Sequence, residues 1–425
     1  MSNGLILLSV LFVTLLFLGA PMVVVLAIPS AAYILLQDWP STLIVQRMFA
    51  GMNQFLLLAL PLFMLAGELM NAGGLTKRLV DFSYAIVGRV RGSLAYVNLS
   101  TNMLMAGISG SALADASAIG SLLIPDMVRR GYSRSFAAAI TAAGSIVGPI
   151  IPPSVVFILY SVLAQVSVID LFLAGVVPGV LIIAMQMLLV RLLARRYGFP
   201  PGSAMSVRDG IASMTKALPI LVLPVVIVGG IRGGVFTPTE GAAVAVACAI
   251  AIGFALRALS GRAIIDCAVR VGRSVGEILL LVAAASLLSY ILVAEQIPAA
   301  IATWVLSVTN EHYAVLLLIN AVLLCVGMVL DGFAAMIIFV PILLPLATVI
   351  GVDPIHFGVI ITTNIMIGII TPPVGLALFI TSKIAQEPFA AVARAALPFI
   401  LVSILVLILI TFFPALSLAL PGLFK

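Results

Sequence analysis

Charge is the scarcest feature of this sequence. Lys and Arg number 21 and Asp and Glu 15, so charged residues make up 8% of 425 positions, against about 25% in soluble domains. Too few remain to build an ordinary water-exposed surface. The 63% hydrophobic content and mean hydropathy of +1.32 set most of the chain against lipid or other membrane segments. Histidine occurs only as His312 and His356, far apart and near segment ends, which suits interfacial or capping roles better than metal binding. Cys248, Cys267 and Cys325 are an odd, scattered set that suggests neither a disulfide framework nor a metal site. The G-x-x-x-x-G-K-[ST] phosphate loop is missing, as is any soluble segment to carry it, so ATP does not drive this chain directly. No nucleophile–base pair is visible, which argues against an enzyme. The net charge of +6 is dispersed over many short connections and gives no nucleic-acid-binding patch.

Long apolar runs, by contrast, are plentiful and continuous, unlike the short alternating segments of a membrane β-barrel. The opening run "LILLSVLFVTLLFLGAP" looks like a signal-peptide core. Residues 1–4 bring no positive charge, however, and the run continues to Leu36, so it is read as retained. A crossing needs about 20 helical residues. Crossings are expected near 53–70, 136–164, 170–193, 217–231, 238–256, 276–295, 357–382 and 397–420. Residues 4–36 form either one long helix or two broken at Gly19-Ala20-Pro21. The stretches 94–128 and 312–350 are too long for one crossing and are interrupted by "GISGSALADAS" and "GMVLDGFAA"; each is read as a re-entrant hairpin of two half-helices.

Positive charge supports that reading. With both hairpins counted so, 18 of the 21 Lys and Arg fall on one face, the exceptions being Arg47, Arg232 and Lys425. That face is cytoplasmic by the positive-inside rule. The opposite loops, "AQVSVID", "AEQIPAA", "TNEHY" and "GVDPIH", hold no Lys or Arg.

Proline is then the informative residue. "GPIIPP" at 148–153 recurs as "GIITPP" at 368–373, an offset of 220 that also pairs Gly107 with Gly327, Pro125 with Pro345 and Gly131 with Gly351. Chance apolar similarity would enrich Leu and Ile matches, not these helix breakers. Five crossings separate the hairpins, an odd number, so the second copy is inverted, as in secondary transporters whose sites form at discontinuous helices near the midplane.

Broken backbone survives in lipid only where protein or a polar cavity satisfies it. Freed carbonyls with nearby hydroxyls suit a dehydrated hard cation such as Na⁺, and half-helix N-termini suit an anion. In the first half the candidates are Ser109, Gly110, Ser111 and Asp115, facing Ser145, Gly148, Pro152 and Ser154. In the second they are Gly327, Asp331 and Gly332, facing Asn364, Gly368, Thr371 and Val374. Asp115 and Asp331 are acids at membrane depth, which by default are functional; each reads either as an ion ligand or as the N-cap of the second half-helix. As a catalytic aspartyl pair they would have to share one proton across a few ångströms, and they hold non-equivalent places in opposed hairpins. Glu68 and Glu240 lie near segment ends and read as structural, and Asn98, Thr101 and Asn102 read as capping the first hairpin's helix.

The stretches "NMLMAGISGSALADASAIGSLLIPDMVRRGYSRSFAAAITAAGSIVGPIIPPSVVFILYSVLA" and "NIMIGIITPPVGLALFITSKIA" closely resemble the large membrane (M) subunit of the tripartite ATP-independent periplasmic (TRAP) transporters, in the ion transporter superfamily. The resemblance covers essentially the whole chain. It implies an all-α polytopic membrane protein of the elevator type, in the bacterial inner membrane, with inverted repeats, two re-entrant hairpins and two discontinuous helices. It further implies Na⁺ as coupling ion and no other cofactor, with one ion between tip 109–111 and break 148–153 and another between tip 327–332 and break 368–371. Val329, Leu330 and Asp331 replace the serines of "SGS", so the two sites are not chemically identical. A carboxylate-bearing solute would dock between the tips, with Ser111, Asp115, Ser154 and Asn364 as its candidate ligands. Two partners are implied: a small four-helix membrane (Q) subunit, expected as a separate polypeptide, and a periplasmic substrate-binding (P) protein. The corresponding organisation is scaffold helices and a first arm in 1–92, a transport repeat in 93–165, scaffold helices and a second arm in 166–310, a second transport repeat in 311–386 and a C-terminal membrane helix in 387–425. The basic stretches 76–92 and 257–273 are read either as arm helices or as solvated loops. A stand-alone ion-coupled carboxylate symporter is the alternative.

Overall fold

A computed structural model describes residues 3–196, 198–199, 202, 206–309 and 311–423. Among them the chain forms twenty α-helices and no strand. The first half holds α1 (Asn3–Phe17), α2 (Met22–Leu36), α3 (Thr42–Met52), α4 (Ala59–Ala72), α5 (Leu75–Val87), α6 (Ser93–Ser109), α7 (Ala112–Arg129), α8 (Arg134–Ser145), α9 (Val155–Ala164) and α10 (Val168–Arg196). The second holds α11 (Val207–Arg232), α12 (Pro238–Ala255), α13 (Gly261–Ala294), α14 (Ile297–Val308), α15 (His312–Gly327), α16 (Gly332–Val349), α17 (Pro354–Gly368), α18 (Leu376–Ala385), α19 (Phe389–Phe412) and α20 (Ala415–Leu423). Seven helical stretches among the described residues are long and apolar enough to cross a membrane.

The opening stretch is two helices. Gly19 adopts φ +71° before Pro21, and the chain reverses there: a Cβ built on Gly4 would lie 2.2 Å from Gln37 Nε2 and 3.0 Å from Tyr33 Cε2. Residue 4 therefore shares a level with residues 33–37, and the N-terminus lies on the side from which α3 departs. The amphipathic α3, which follows, has no buried residue and is absent from the sequence reading, because its apolar residues are too few to register as a crossing.

Each interrupted stretch folds back on itself. Asn98 near the start of α6 donates to Met127 Sδ near the end of α7, at 3.8 Å. His312 Nδ1 at the start of α15 lies 2.7 Å from the carbonyl oxygen of Ile350, just past α16. Helices α7 and α16 begin and end 220 residues apart, as do the starts of α8 and α17. By the same register α14 answers to α5, and the stretch read as a second arm or a solvated loop is, over 261–273, neither a separate helix nor a loop. Residues 76–87 are helical in α5, but 261–273 are only the first turns of the 34-residue α13. Charge had drawn attention to 257–273, whereas α14 carries no charged residue at all.

A second difference concerns α10, expected with the scaffold. It packs on α6, α9, α17 and α19, and its buried Gln186 donates to the Ala143 carbonyl of α8 (3.0 Å) and to Ser403 Oγ of α19 (3.3 Å). A third concerns Asn98, Thr101 and Asn102. They are interior residues of α6, fully buried, and not caps. Asn98 donates to Thr141 Oγ1 at 2.7 Å and Thr101 to Ser83 Oγ at 3.1 Å, tying the hairpin to α8 and α5.

A close backbone approach joins the second hairpin to the second break. A Cβ on Gly368 would stand 2.5 Å from Gly327 Cα and carbonyl carbon, against backbone that has no rotamer to change. Gly368→Ala is therefore expected to destabilise by about 1–3 kcal/mol or more through overpacking. Gly276→Ala, in a helix with nothing within 4 Å of the added Cβ, is expected to stabilise by about 0.5–1 kcal/mol. Thermal unfolding of the two detergent-solubilised variants checks the contrast; equal shifts would contradict the close approach.

Candidate functional site

A carbonyl in a helix normally accepts from the N–H four residues on. For Gly148 and Pro149 those residues are Pro152 and Pro153; for Gly368 and Ile369 they are Pro372 and Pro373. None can donate, so each helix must open. It does: α8 ends at Ser145 and α9 begins at Val155, and α17 ends at Gly368 and α18 begins at Leu376. The peptide bonds Pro152-Pro153 and Pro372-Pro373 are both cis. Local substitutes satisfy part of the loss. Ser154 Oγ donates to the Pro149 carbonyl at 2.5 Å, and Ala377 N to the Ile369 carbonyl at 3.0 Å.

The first hairpin tip sits in the first break. Gly110 takes φ +61° after α6 and turns the chain into α7. A Cβ there would meet the Pro153 carbonyl oxygen at 3.0 Å and Val155 N at 3.2 Å, which is why glycine is required. Ser111 is the N-cap of α7, accepting from Ala114 N at 3.4 Å. Asp115 is therefore not the cap. It lies one turn further on, fully buried, accepting from Ser109 Oγ at 2.5 Å through Oδ1. Its other oxygen, Oδ2, has no partner. That oxygen points at the break: a Cβ on Gly148 would be 2.7 Å from it and 3.2 Å from the carbonyl carbon of Ser111.

The second tip is arranged differently. Asp331 is exposed and caps α16, accepting from Phe333 N and Ala334 N, both at 3.2 Å. Gly327 touches Gly368, and a Cβ on Gly332 would lie 2.9 Å from Met366 Cε. Thr371 Oγ1 donates to the Ile367 carbonyl at 2.7 Å, and Val374 in the same break is exposed. An apolar groove of about 570 Å³ runs beside this tip, lined by Val329 and Leu330 with Phe12, Leu16, Leu288 and Leu292.

Of the expected solute residues, Ser111 lines a polar cleft of about 190 Å³ together with Ser109. The rest of that wall comes from α4 and α13: Gly67, Glu68, Asn71, Arg270 and Ser274. Arg270 Nη2 is 3.1 Å from Glu68 Oε2 and 3.2 Å from Cys267 Sγ. A neighbouring cleft of about 570 Å³ shares Glu68, Asn71 and Arg270 and continues along α7 past Ser117 and Ser121. Ser154 and Asn364 are not on these walls. Ser154, buried, also accepts from Phe157 N at 3.1 Å as the cap of α9. Asn364, also buried, donates to the carbonyl and side-chain oxygens of Asn320 at 3.0 and 2.9 Å, and Asn320 in turn donates to Thr411 Oγ1 at 2.9 Å. Asn364 thus ties α17 to α15, with its Oδ1 unpartnered, and Ser154 closes the first break locally. The sequence reading missed Arg270 and gave Glu68 only a structural role. Their signal was an opposite-charge pair 202 residues apart, Glu68 in the apolar α4 and Arg270 among the other charges at the start of α13, which no local pattern joins.

The arrangement thus offers a buried carboxylate oxygen beside Gly148, a residue whose carbonyl has no helical donor, and next to it a polar cleft with a guanidinium. Comparison with known proteins agrees with a transport role. Residues 9–416 match the family model described as the tripartite ATP-independent periplasmic transporter, DctM component. The chain is 37% identical over 412 residues to the sialic acid TRAP transporter large permease protein SiaM of Vibrio cholerae, covering 96% of each. It is 41% identical over 377 residues to the C4-dicarboxylate TRAP transporter large permease protein DctM of Pseudomonas aeruginosa, covering 88% of each. In fold it is similar to the YdaH transporter of Alcanivorax borkumensis, with TM-score 0.64 at 15% identity over 88% of this chain and 87% of that one. MtrF of Neisseria gonorrhoeae follows, with TM-score 0.56 at 13% identity over 87% and 82%. On the extent of these matches, the chain belongs to the tripartite ATP-independent periplasmic transporter family, as its DctM component, the large permease protein.

Proposed function

We propose that this chain is the large membrane subunit of a bacterial inner-membrane transporter that takes up a carboxylate-bearing solute together with Na⁺. A periplasmic binding protein delivers the solute, and a small four-helix membrane subunit completes the assembly. The relatives support the solute class. They are named for sialic acid, C4-dicarboxylates, 2,3-diketo-L-gulonate and isethionate; the first three carry carboxylates and the last a sulfonate, so an acidic group is common to all.

The observation that carries the reading is Asp115 Oδ2, buried, without a partner and aimed at the first break. Leaving a carboxylate so in a membrane interior is costly unless a cation completes it. Na⁺ therefore lies among Ser109, Gly110, Ser111, Gly148 and Pro152, with Asp115 as its charged ligand. This moves Asp115 from the solute to the cation, because two carboxylates in contact would repel. A second Na⁺ lies among Gly327, Asp331, Gly332, Gly368, Thr371 and Val374, drawing mainly on carbonyls. The solute docks from the cleft against Ser111, and Arg270 and Asn71 face it there.

The two halves are inverted about the midplane. The hairpins and broken helices, with α10 and α19 packed on them, move as one body against α1–α5 and α11–α14. The cleft at Ser109 and Ser111 opens between α4 and the start of α13, beside the basic loops, so this arrangement corresponds to the cytoplasm-facing end of the stroke. The Na⁺ at tip 1 fastens hairpin to break and completes the solute site, which couples the two.

Reconstitution with both partner subunits tests the whole reading. Uptake of candidate organic acids is expected under an inward Na⁺ gradient and not under K⁺; equal uptake in both rejects sodium coupling. Asp115→Asn is expected to raise the Na⁺ concentration for half-maximal uptake at least about tenfold, since a contact to a charged group is worth about 1.5–3 kcal/mol. Asp331→Asn keeps the helix cap, because Asn caps as well as Asp. It is expected to weaken the Na⁺ dependence without lowering abundance, and an unchanged sodium titration would leave capping as its role.

A further inference from the structure

Three basic residues are exceptions to the charge rule read from the sequence: Arg47, Arg232 and Lys425. Arg232 sits in the last turn of α11, where a cation meets the negative end of the helix dipole. Lys425 lies outside the described residues. Arg47 has no such explanation, standing in the middle of α3 on the outer side. No carboxylate pairs with it among the described residues. Its guanidinium Cζ lies 3.9 Å from the centroid of the Tyr290 ring. That ring is fixed edge-on by Trp39, at 5.8 Å and 70°, and Trp39 by Tyr33, at 5.6 Å and 85°. Tyr33 hydroxyl donates to Glu295. Stacking uses the face of the guanidinium and leaves its in-plane N–H fork for a bidentate carboxylate.

The fork has room in front of it. Arg47, Gln54, Gln165, Ser286, Ser289 and Tyr290 line a cavity of about 470 Å³. Its walls come from α3 and α13 on one side and from the end of α9 and the middle of α16, at Ile337 and Pro341, on the other. It therefore lies on the seam between the fixed and moving parts, at the face where solute arrives. A cation kept there against the charge rule of the loops, held by an aromatic stack in a cavity where the amides of Gln54 and Gln165 and the hydroxyls of Ser286 and Ser289 stand among apolar side chains, is built to receive an anion.

We infer that the Arg47 cavity is a landing site for the solute's carboxylate on the outer face, occupied before the solute reaches the hairpin cleft. The inference rests on the proposed function for which face is outer and for the charge of the solute. Its electrostatic content is testable without transport. Ser289→Cys is introduced into the full chain carrying Cys248→Ser and Cys325→Ser. Its modification rates by an anionic and a cationic methanethiosulfonate are measured in detergent, with succinate or N-acetylneuraminate as probe. With Arg47 present the anionic reagent is favoured and at least one acid slows modification. Arg47→Gln is expected to lower the anionic-to-cationic rate ratio about fivefold, the size of one screened unit charge at this range, and to abolish protection. Arg47→Lys keeps the ratio and loses most of the protection. An unchanged ratio in Arg47→Gln, protection by neither acid, or protection that survives Arg47→Gln overturns the site. Failure of Na⁺-driven uptake with protection intact overturns the transport reading and leaves the site standing.

Discussion

One carboxylate oxygen organises the interior of this protein. Asp115 is fully buried, gives one oxygen to Ser109 and turns the other, unpartnered, toward Gly148. A glycine is needed at 148 for that approach, and a helix opened by Pro152 and Pro153 is needed to free the carbonyls around it. The tip at Gly110 must likewise nest against Pro153 and Val155. Hairpin, break and acid are thus one unit, in which each departure from regular helix is met by another. Under the proposed function a cation turns this cluster from a cost into a lock.

The two halves share a plan and divide its uses. The first tip is polar, buried and reached by a cleft that carries Arg270 and Glu68. The second is capped by an exposed Asp331, with Val329 and Leu330 facing an apolar groove. The breaks share a register of 220 residues, while the tips differ, one beside the polar cleft and the other beside the apolar groove. Arg47 lines one cavity and Arg270 another, both on helices of the part proposed to stay fixed, so under the proposed function an acidic solute meets a counter-charge at both ends of its path.

Much of the fold was legible because proline and glycine act locally. Pro152, Pro153, Pro372 and Pro373 each delete a donor whose acceptor lies four residues back, so both breaks can be read from the chain alone. The hairpins were legible because an apolar run near 35 residues with small residues at its centre has few other solutions. Packing across helices was not legible. Asn364 and Ser154 read as ligands because they are polar residues in apolar runs; in the fold the Asn364 amide donates to Asn320 while its Oδ1 stays unpartnered, and Ser154 donates to the Pro149 carbonyl. Arg270 looked like a loop cation because basic residues cluster near it. Only the helix α13 carries it back to Glu68, 202 positions away. Charge likewise drew the arm reading to 257–273, whereas α14, at the register of α5, has none.

Paired high-resolution structures of the assembled transporter in Na⁺ and in K⁺ would test the central claim most directly. The account predicts difference density between Asp115 Oδ2 and the Gly148 carbonyl in Na⁺, with Ser109 still bonded to Oδ1. Featureless density there, or an Asp115 side chain turned into the cleft toward Arg270 in both salts, would contradict it.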